Sequence, residues 1–239
     1  MLIFNLKCDI ISLIKNVWEI IFMELKGKKI LFLGDSITQG VGVEDFNDVY
    51  FKQLERNTGA NCIGFGISGT RFSKQPESDY FEEQGNFCTR CLKMDDDADI
   101  VVVFGGTNDY GHGNAPFGKL TDCSPETFCG AVNFVAKSLI EKYPKATVVF
   151  MTPTHRTTEK GRIKNENGIR NDLELVDYVD AIIKICGEYS VPVLDLYRVS
   201  GIQPNIEVNR ELYMPDGLHP NVNGNAKIAS RLEGFLKSL

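Results

Sequence analysis

From Lys29 onward the chain alternates between short runs of consecutive apolar residues and longer stretches in which apolar residues recur at helical spacing. The clearest runs are Ile30-Leu31-Phe32-Leu33 and Ile100-Val101-Val102-Val103-Phe104. A run with no polar interruption is what a parallel strand covered on both faces requires. Strands are expected at 29–34, 61–65, 99–105, 146–152 and 191–196, and helices near 47–57, 83–93, 125–142, 172–188 and 223–238. This alternation predicts an α/β fold, a three-layer α/β/α sandwich. Five strands favour a parallel sheet of order 2-1-3-4-5, whose crevice lies at the carboxyl ends of the first and third strands.

Residues 1–25 carry a different pattern. Ile10, Ile11, Ile14, Val17, Trp18, Ile21, Phe22 and Leu25 fall at helical spacing, opposite Asp9, Ser12, Asn16 and Glu19. This predicts an amphipathic extension to a domain of residues 26–239. Lys7, Asp9, Lys15 and Glu19 interrupt it, so neither a signal peptide nor a membrane span is expected here. Its polar face is not rich in lysine or arginine, which favours packing on the body or on another subunit and leaves a homo-oligomer open. Translation starting at Met23 is also left open, because Met23-Glu24-Leu25-Lys26-Gly27-Lys28-Lys29 is a polar lead into the first strand.

Composition narrows the class. A chain of 239 residues with 43% hydrophobic and 24% charged residues suits one large globular domain. The net charge of -6 argues against a nucleic-acid partner, whose binding surface would be basic. Seven scattered cysteines, an odd number, suit a reducing, cytoplasmic setting better than a disulfide framework. Cys88-x-x-Cys91 has zinc-motif spacing but no second pair, and reads as two positions on one helix. The cluster Asp95-Asp96-Asp97-Ala98-Asp99 reads as a solvated loop rather than a cation site. Neither pattern predicts a metal site.

Candidate chemistry collects at strand ends. The first strand stops at Gly34-Asp35-Ser36-Ile37-Thr38, leaving Ser36 at the sheet's carboxyl edge as a candidate nucleophile, although a serine there is ordinarily a helix N-cap. The second strand ends in Gly64-Phe65-Gly66-Ile67-Ser68-Gly69. This matches a dinucleotide fingerprint in form only, since the polar, proline-broken segment 70–76 follows where a helix should open. Glycine there would let a backbone N–H approach a reacting oxygen. The third strand ends in Gly105-Gly106-Thr107-Asn108-Asp109, where the Asn108 amide could donate to an oxyanion or Asn108-Asp109 could form an Asx turn. Near the C-terminus, Asp216-Gly217-Leu218-His219 spaces a carboxylate so that it can hold Nδ1 of the imidazole and leave Nε2 as a base.

These four blocks, in this order, resemble the GDSL, or SGNH, serine hydrolases from about Lys29 to the C-terminus. The resemblance implies Ser36 as nucleophile, His219 as base and Asp216 as its orienter. It implies an oxyanion hole made by the Ser36 N–H, the Gly69 N–H and the Asn108 side chain, with Gly66 as the alternative to Gly69. It implies ester hydrolysis through an acyl-enzyme, with no metal or organic cofactor required. Residues 1–25 have no counterpart in the pattern, and the Ser-x-Gly elbow of the larger α/β-hydrolases is absent around Ser36.

Tyr110, His112, Asn114, Thr154, His155 and Arg156 follow the third and fourth strands. With Asp35 beside the nucleophile, they suggest a polar substrate, a small O-acyl ester such as an acetylated sugar. A lipase or lysophospholipase activity is the alternative within the same chemistry. A carbohydrate-binding module on a flavodoxin-like frame, docked through the N-terminal helix, and a nucleotide-binding protein using Gly64 to Gly69 are the readings from other classes.

Overall fold

A computed structural model of the protein describes residues 23–76, 84–160 and 173–239. Of the predicted amphipathic extension of residues 1–25, residues 1–22 lie outside them. Five parallel strands, β1 (Lys29–Gly34), β2 (Asn61–Gly66), β3 (Ile100–Phe104), β4 (Thr147–Met151) and β5 (Val193–Leu194), form one sheet in the order 2-1-3-4-5.

Side chains alternate across a strand, so each apolar run feeds two cores. Leu31 and Leu33 of β1, Val101 and Val103 of β3, and Val148 and Phe150 of β4 face one layer. That layer is built from α3 (Phe87–Cys91), α5 (Phe128–Lys142) and α6 (Leu175–Glu188). Ile30 and Phe32, Ile100, Val102 and Phe104, and Val149 and Met151 face the other, built from α2 (Tyr50–Thr58) and α9 (Val222–Lys237). Each such fully buried Leu, Ile, Val or Phe contributes roughly 1.5–3 kcal/mol.

The short elements are those the apolar pattern does not announce. They are α1 (Ser36–Gln39), a 3₁₀ turn (Phe46–Asp48), α4 (Thr107–His112), α7 (Leu196–Val199) and α8 (Glu207–Tyr213). The helix expected at 47–57 is split at Val49, whose extended backbone makes it the N-cap of α2. The strand expected at 191–196 shrinks to two residues, because the Asp195 side chain accepts the Arg198 N–H and starts α7. The body also begins earlier than the expected boundary at Lys26. Met23 N–H donates to Lys237 O at 2.9 Å and Leu25 is buried with the α2 and α9 core.

Cys88 and Cys91 lie on α3 and are buried, as the helix reading of that pair expects. The acidic cluster is a surface loop in which Asp95 and Asp97 pair with Lys29, and Asp99 with Lys28.

Candidate active site

The nucleophile candidate is placed by an abrupt stop. β1 ends at Gly34, Asp35 caps α1 by accepting the Ile37 N–H at 3.0 Å, and Ser36 becomes the first residue of that helix. Helix geometry leaves its backbone N–H without an intrahelical acceptor. Thr38, two residues on, is tied to Tyr50 by a 3.0 Å hydroxyl hydrogen bond, which anchors α1 on α2.

From the far end of the chain, His219 brings Nε2 to 3.0 Å from Ser36 Oγ. Its Nδ1–H donates to Asp216 Oδ2 at 2.6 Å, and its backbone N–H donates to Asp216 Oδ1 at 2.7 Å. A carboxylate only accepts, so Nδ1 carries the proton and Nε2 faces the serine as a base. Burial pushes the Asp216 carboxyl up, but the hydrogen bonds from the His219 backbone, its ring and the Leu218 N–H outweigh it and hold the group below the ordinary carboxylate value.

The loop that carries this pair is braced on three sides. Thr157 N–H donates to Gly217 O at 2.9 Å. Asn225, on α9, donates to Pro220 O at 2.8 Å and accepts the Tyr50 N–H at 2.9 Å, coupling the loop to α2. Gly42, at φ +102°, lies so close that a Cβ there would meet Pro220 O at 2.7 Å.

The glycine block and Asn108 come together beside Ser36's strand. Ile67 N–H donates to Gly34 O, and N–H directions alternate along a strand, so the Gly66 N–H points to the open edge of the sheet, away from β1. Gly69 sits at φ +74° in a turn closed by Thr70 N–H to Ile67 O, and its own N–H enters no hydrogen bond among the described residues. The Asn108 amide donates to Thr70 O at 3.1 Å, which holds it against that turn.

Two buried residues outside the expected site set hold the turn from behind. Arg90 of α3 donates to Thr70 Oγ1 at 2.7 Å, to Gly34 O at 2.9 Å and to Phe65 O, joining the ends of β1 and β2. Burial lowers its pKa to about 10, opposed by Asp35. Asp109 accepts the Phe72 N–H, the Ser73 N–H and the Ser73 hydroxyl at 2.9, 3.0 and 2.7 Å. Asn108 and Asp109 lie in α4 and their side chains bond the 70–73 loop and His112, where the sequence also allowed an Asx turn; burial pushes the Asp109 pKa up against those hydrogen bonds. The motif at 105–109 could have pointed to Asp109, but Arg90 has no local signal.

The expected substrate contacts divide. Asp35 and Tyr110, both expected as substrate contacts, lie in the interior at 1% and 3% exposed. Asp35 is consumed as the α1 cap, and burial pushes its carboxyl up to about 6 against the pull of the Ile37 N–H, His219 and Arg90. Tyr110 is a core residue of the α5 and α6 layer. Thr154 is also buried. Asn114 donates its backbone N–H to Gln75 at 2.7 Å.

His155 lies on the Tyr197 ring, centroids 3.8 Å apart, with Nδ1 at 2.7 Å from Glu159. Arg156 donates to Thr107 O at 3.0 Å and to Thr107 Oγ1 at 3.1 Å, and its charge is felt by both Asp35 and Asp216. His112 contacts Asn108 directly, with Nε2 at 3.1 Å from Oδ1.

A family model described as the GDSL-like lipase/acylhydrolase family matches residues 32–227. One solved structure is 34% identical, with a TM-score of 0.75, covering 90% of this chain and 98% of its own. A protein from Lactobacillus plantarum is 31% identical, with a TM-score of 0.74, covering 88% of this chain and 97% of its own. A protein from Bacteroides uniformis named as a GDSL-like lipase shares the fold at 19% identity and a TM-score of 0.63, covering 88% of this chain and 96% of its own. No curated protein matches the chain.

Proposed function

Because the chain belongs to the GDSL-like lipase/acylhydrolase family, a family of hydrolases, we propose that it cleaves carboxylic esters through an acyl-enzyme formed on Ser36. The observation that carries this reading is the line Ser36 Oγ, His219 Nε2, His219 Nδ1, Asp216 Oδ2, with heavy-atom spacings of 3.0 Å and 2.6 Å at its two hydrogen bonds. A binding module has no use for a hydroxyl aligned on a base whose tautomer is held by a carboxylate.

In the first half-reaction Ser36 Oγ attacks the carbonyl carbon as its proton passes to His219 Nε2. The imidazolium returns that proton to the departing alkoxide, and the alcohol leaves. In the second, the same imidazole takes a proton from water, whose oxygen attacks the acyl carbon, and Ser36 recovers its proton as the carboxylic acid departs. Charge on the tetrahedral oxygen is met by the Ser36 and Gly69 N–H groups and the Asn108 amide.

The substrate is a small-acyl ester of a polar alcohol, an acetylated carbohydrate being the type. The support is the polar rim contributed by His112, His155 and Arg156, two of which contact residues of α4 beside the site. One observation favours the lipid-type alternative. Ile206, Val208 and Leu212 on and next to α8, which leads into the Asp216 loop, are 56%, 70% and 47% exposed.

Hydrolysis of 4-nitrophenyl acetate and of a long-chain 4-nitrophenyl ester by wild type and Ser36→Ala tests both points. Turnover lost in Ser36→Ala supports the serine reading, and a preference for the long chain moves the substrate to the lipid class. Equal background rates in the two proteins would sink the hydrolase reading.

A further inference from the structure

We infer that His112, itself held by Arg71, is the positioning residue that fixes which way the Asn108 amide points. The inference rests on the serine-hydrolase reading for its catalytic meaning, and on hydrogen-bond chemistry for its geometry. Arg71 is 3% exposed and its Nη2 lies 2.6 Å from His112 Nδ1 and 3.1 Å from His112 O. A guanidinium has donors and no acceptor, so Nδ1 accepts and the neutral ring carries its proton on Nε2. That Nε2–H lies 3.1 Å from Asn108 Oδ1 and donates to it.

The two ends of an asparagine amide are assigned by their partners rather than by shape. Here both ends agree. Oδ1 accepts from a group that can only donate, and Nδ2 donates to Thr70 O, which can only accept, at 3.1 Å. One N–H of the amide is spent on Thr70, so the second is left for a substrate oxygen. Asn108 is 4% exposed, so water cannot easily replace a lost partner. The spacing is local, since His112 lies one helical turn beyond Asn108 on α4. Arg71 arrives through the turn that carries Gly69, so the proposed backbone donor and the proposed amide donor are set by neighbouring residues of one loop.

Removing His112 leaves Asn108 held at one end. The expected result for His112→Ala is a fall in kcat on 4-nitrophenyl acetate of about 10-fold with KM within about 2-fold. That is smaller than the ~10²–10³-fold loss for Asn108→Ala, which removes the donor itself. His112→Gln, whose amide N–H can reach Oδ1, restores part of the loss. In the Asn108→Ala background His112→Ala has almost no further effect, whereas a general structural defect would add.

The tautomer is read separately by ¹⁵N NMR of the full chain, with His112→Gln assigning its signal among the three histidines. A neutral ring protonated on Nε2 at pH 7 is expected. An Nδ1–H tautomer, an imidazolium, or additive kinetics overturns the inference. If Ser36→Ala turns over like wild type, the hydrolase reading fails and takes the catalytic part with it, while the NMR result still decides the network.

Discussion

Asp216 grips His219 twice within three residues, accepting the backbone N–H with Oδ1 and the ring Nδ1–H with Oδ2. The first bond fixes where the residue sits and the second fixes how its ring turns. Asp216→Asn replaces an acceptor with a group that can present N–H to Nδ1, which favours the wrong tautomer. We expect kcat to fall by at least about 10²-fold with substrate affinity little changed. Steady-state kinetics at one pH checks this, and an Asn variant within 3-fold of wild type would show that the carboxylate is dispensable.

Ser36 and His219 act as one unit, so their losses do not add. Ser36→Ala and His219→Ala should each bring turnover near background, and the double variant should be no worse than either. Rates for the three proteins on one activated ester decide it. A double variant slower by the product of the two single losses would mean that the residues work independently.

The Asp35 carboxyl has an ordinary pKa of 3.8 and is pushed by burial to about 6 in the folded chain. The folded state therefore binds this proton more tightly than the unfolded one. The associated stability, about 3 kcal/mol, is fully present below the ordinary value and is lost as pH rises through the folded one. Asn caps helices as well as Asp does. Asp35→Asn should flatten the stability profile across that window, making the variant gain on wild type between about pH 4 and pH 7. Urea midpoints at several pH values measure the difference, and parallel profiles would contradict the assignment.

Arg90 satisfies two carbonyls and a hydroxyl at the ends of β1 and β2 while 8% exposed. Arg90→Ala leaves all three acceptors buried without it, and should cost about 3 kcal/mol or more. Arg90→Lys should recover only part, since a single ammonium cannot span acceptors that a planar fork reaches together. Chemical denaturation of the three proteins tests this, with a fully stable Lys variant as the contrary result.

Gly42→Ala places a Cβ against Pro220 O from a left-handed backbone position. A destabilisation of roughly 1–3 kcal/mol is expected, with a loss of turnover as the His219 loop is displaced. Activity unchanged alongside lowered stability would show that the loop absorbs the clash elsewhere.

Much of this is legible in the sequence alone. A parallel α/β sheet followed from runs such as those of β1 and β3 separated by helical patterns, because a parallel strand buried on both faces has to be apolar at every position, and 2-1-3-4-5 is the order that five such strands favour. The Asp216 and His219 pairing was legible because three residues of chain suffice to bring the groups together. The sequence separation of 183 between Ser36 and His219 could be bridged only through the resemblance to known hydrolases. Short helices such as α1 and α4 were not legible, since four to six residues carry too little periodicity and are held by caps and tertiary contacts.

What the sequence by itself determined is what depends on local spacing: the layers, the strand ends, and a carboxylate beside its imidazole. Only the tertiary structure decided what depends on distance through space. It turned Asp35 and Tyr110 inward from the rim where their chain positions suggested a substrate, because a short helix needed a cap and a core needed a ring. It brought Arg90 and Arg71, which stand in no motif, beneath and beside the Thr70 turn, because buried carbonyl, hydroxyl and imidazole acceptors need donors long enough to reach them.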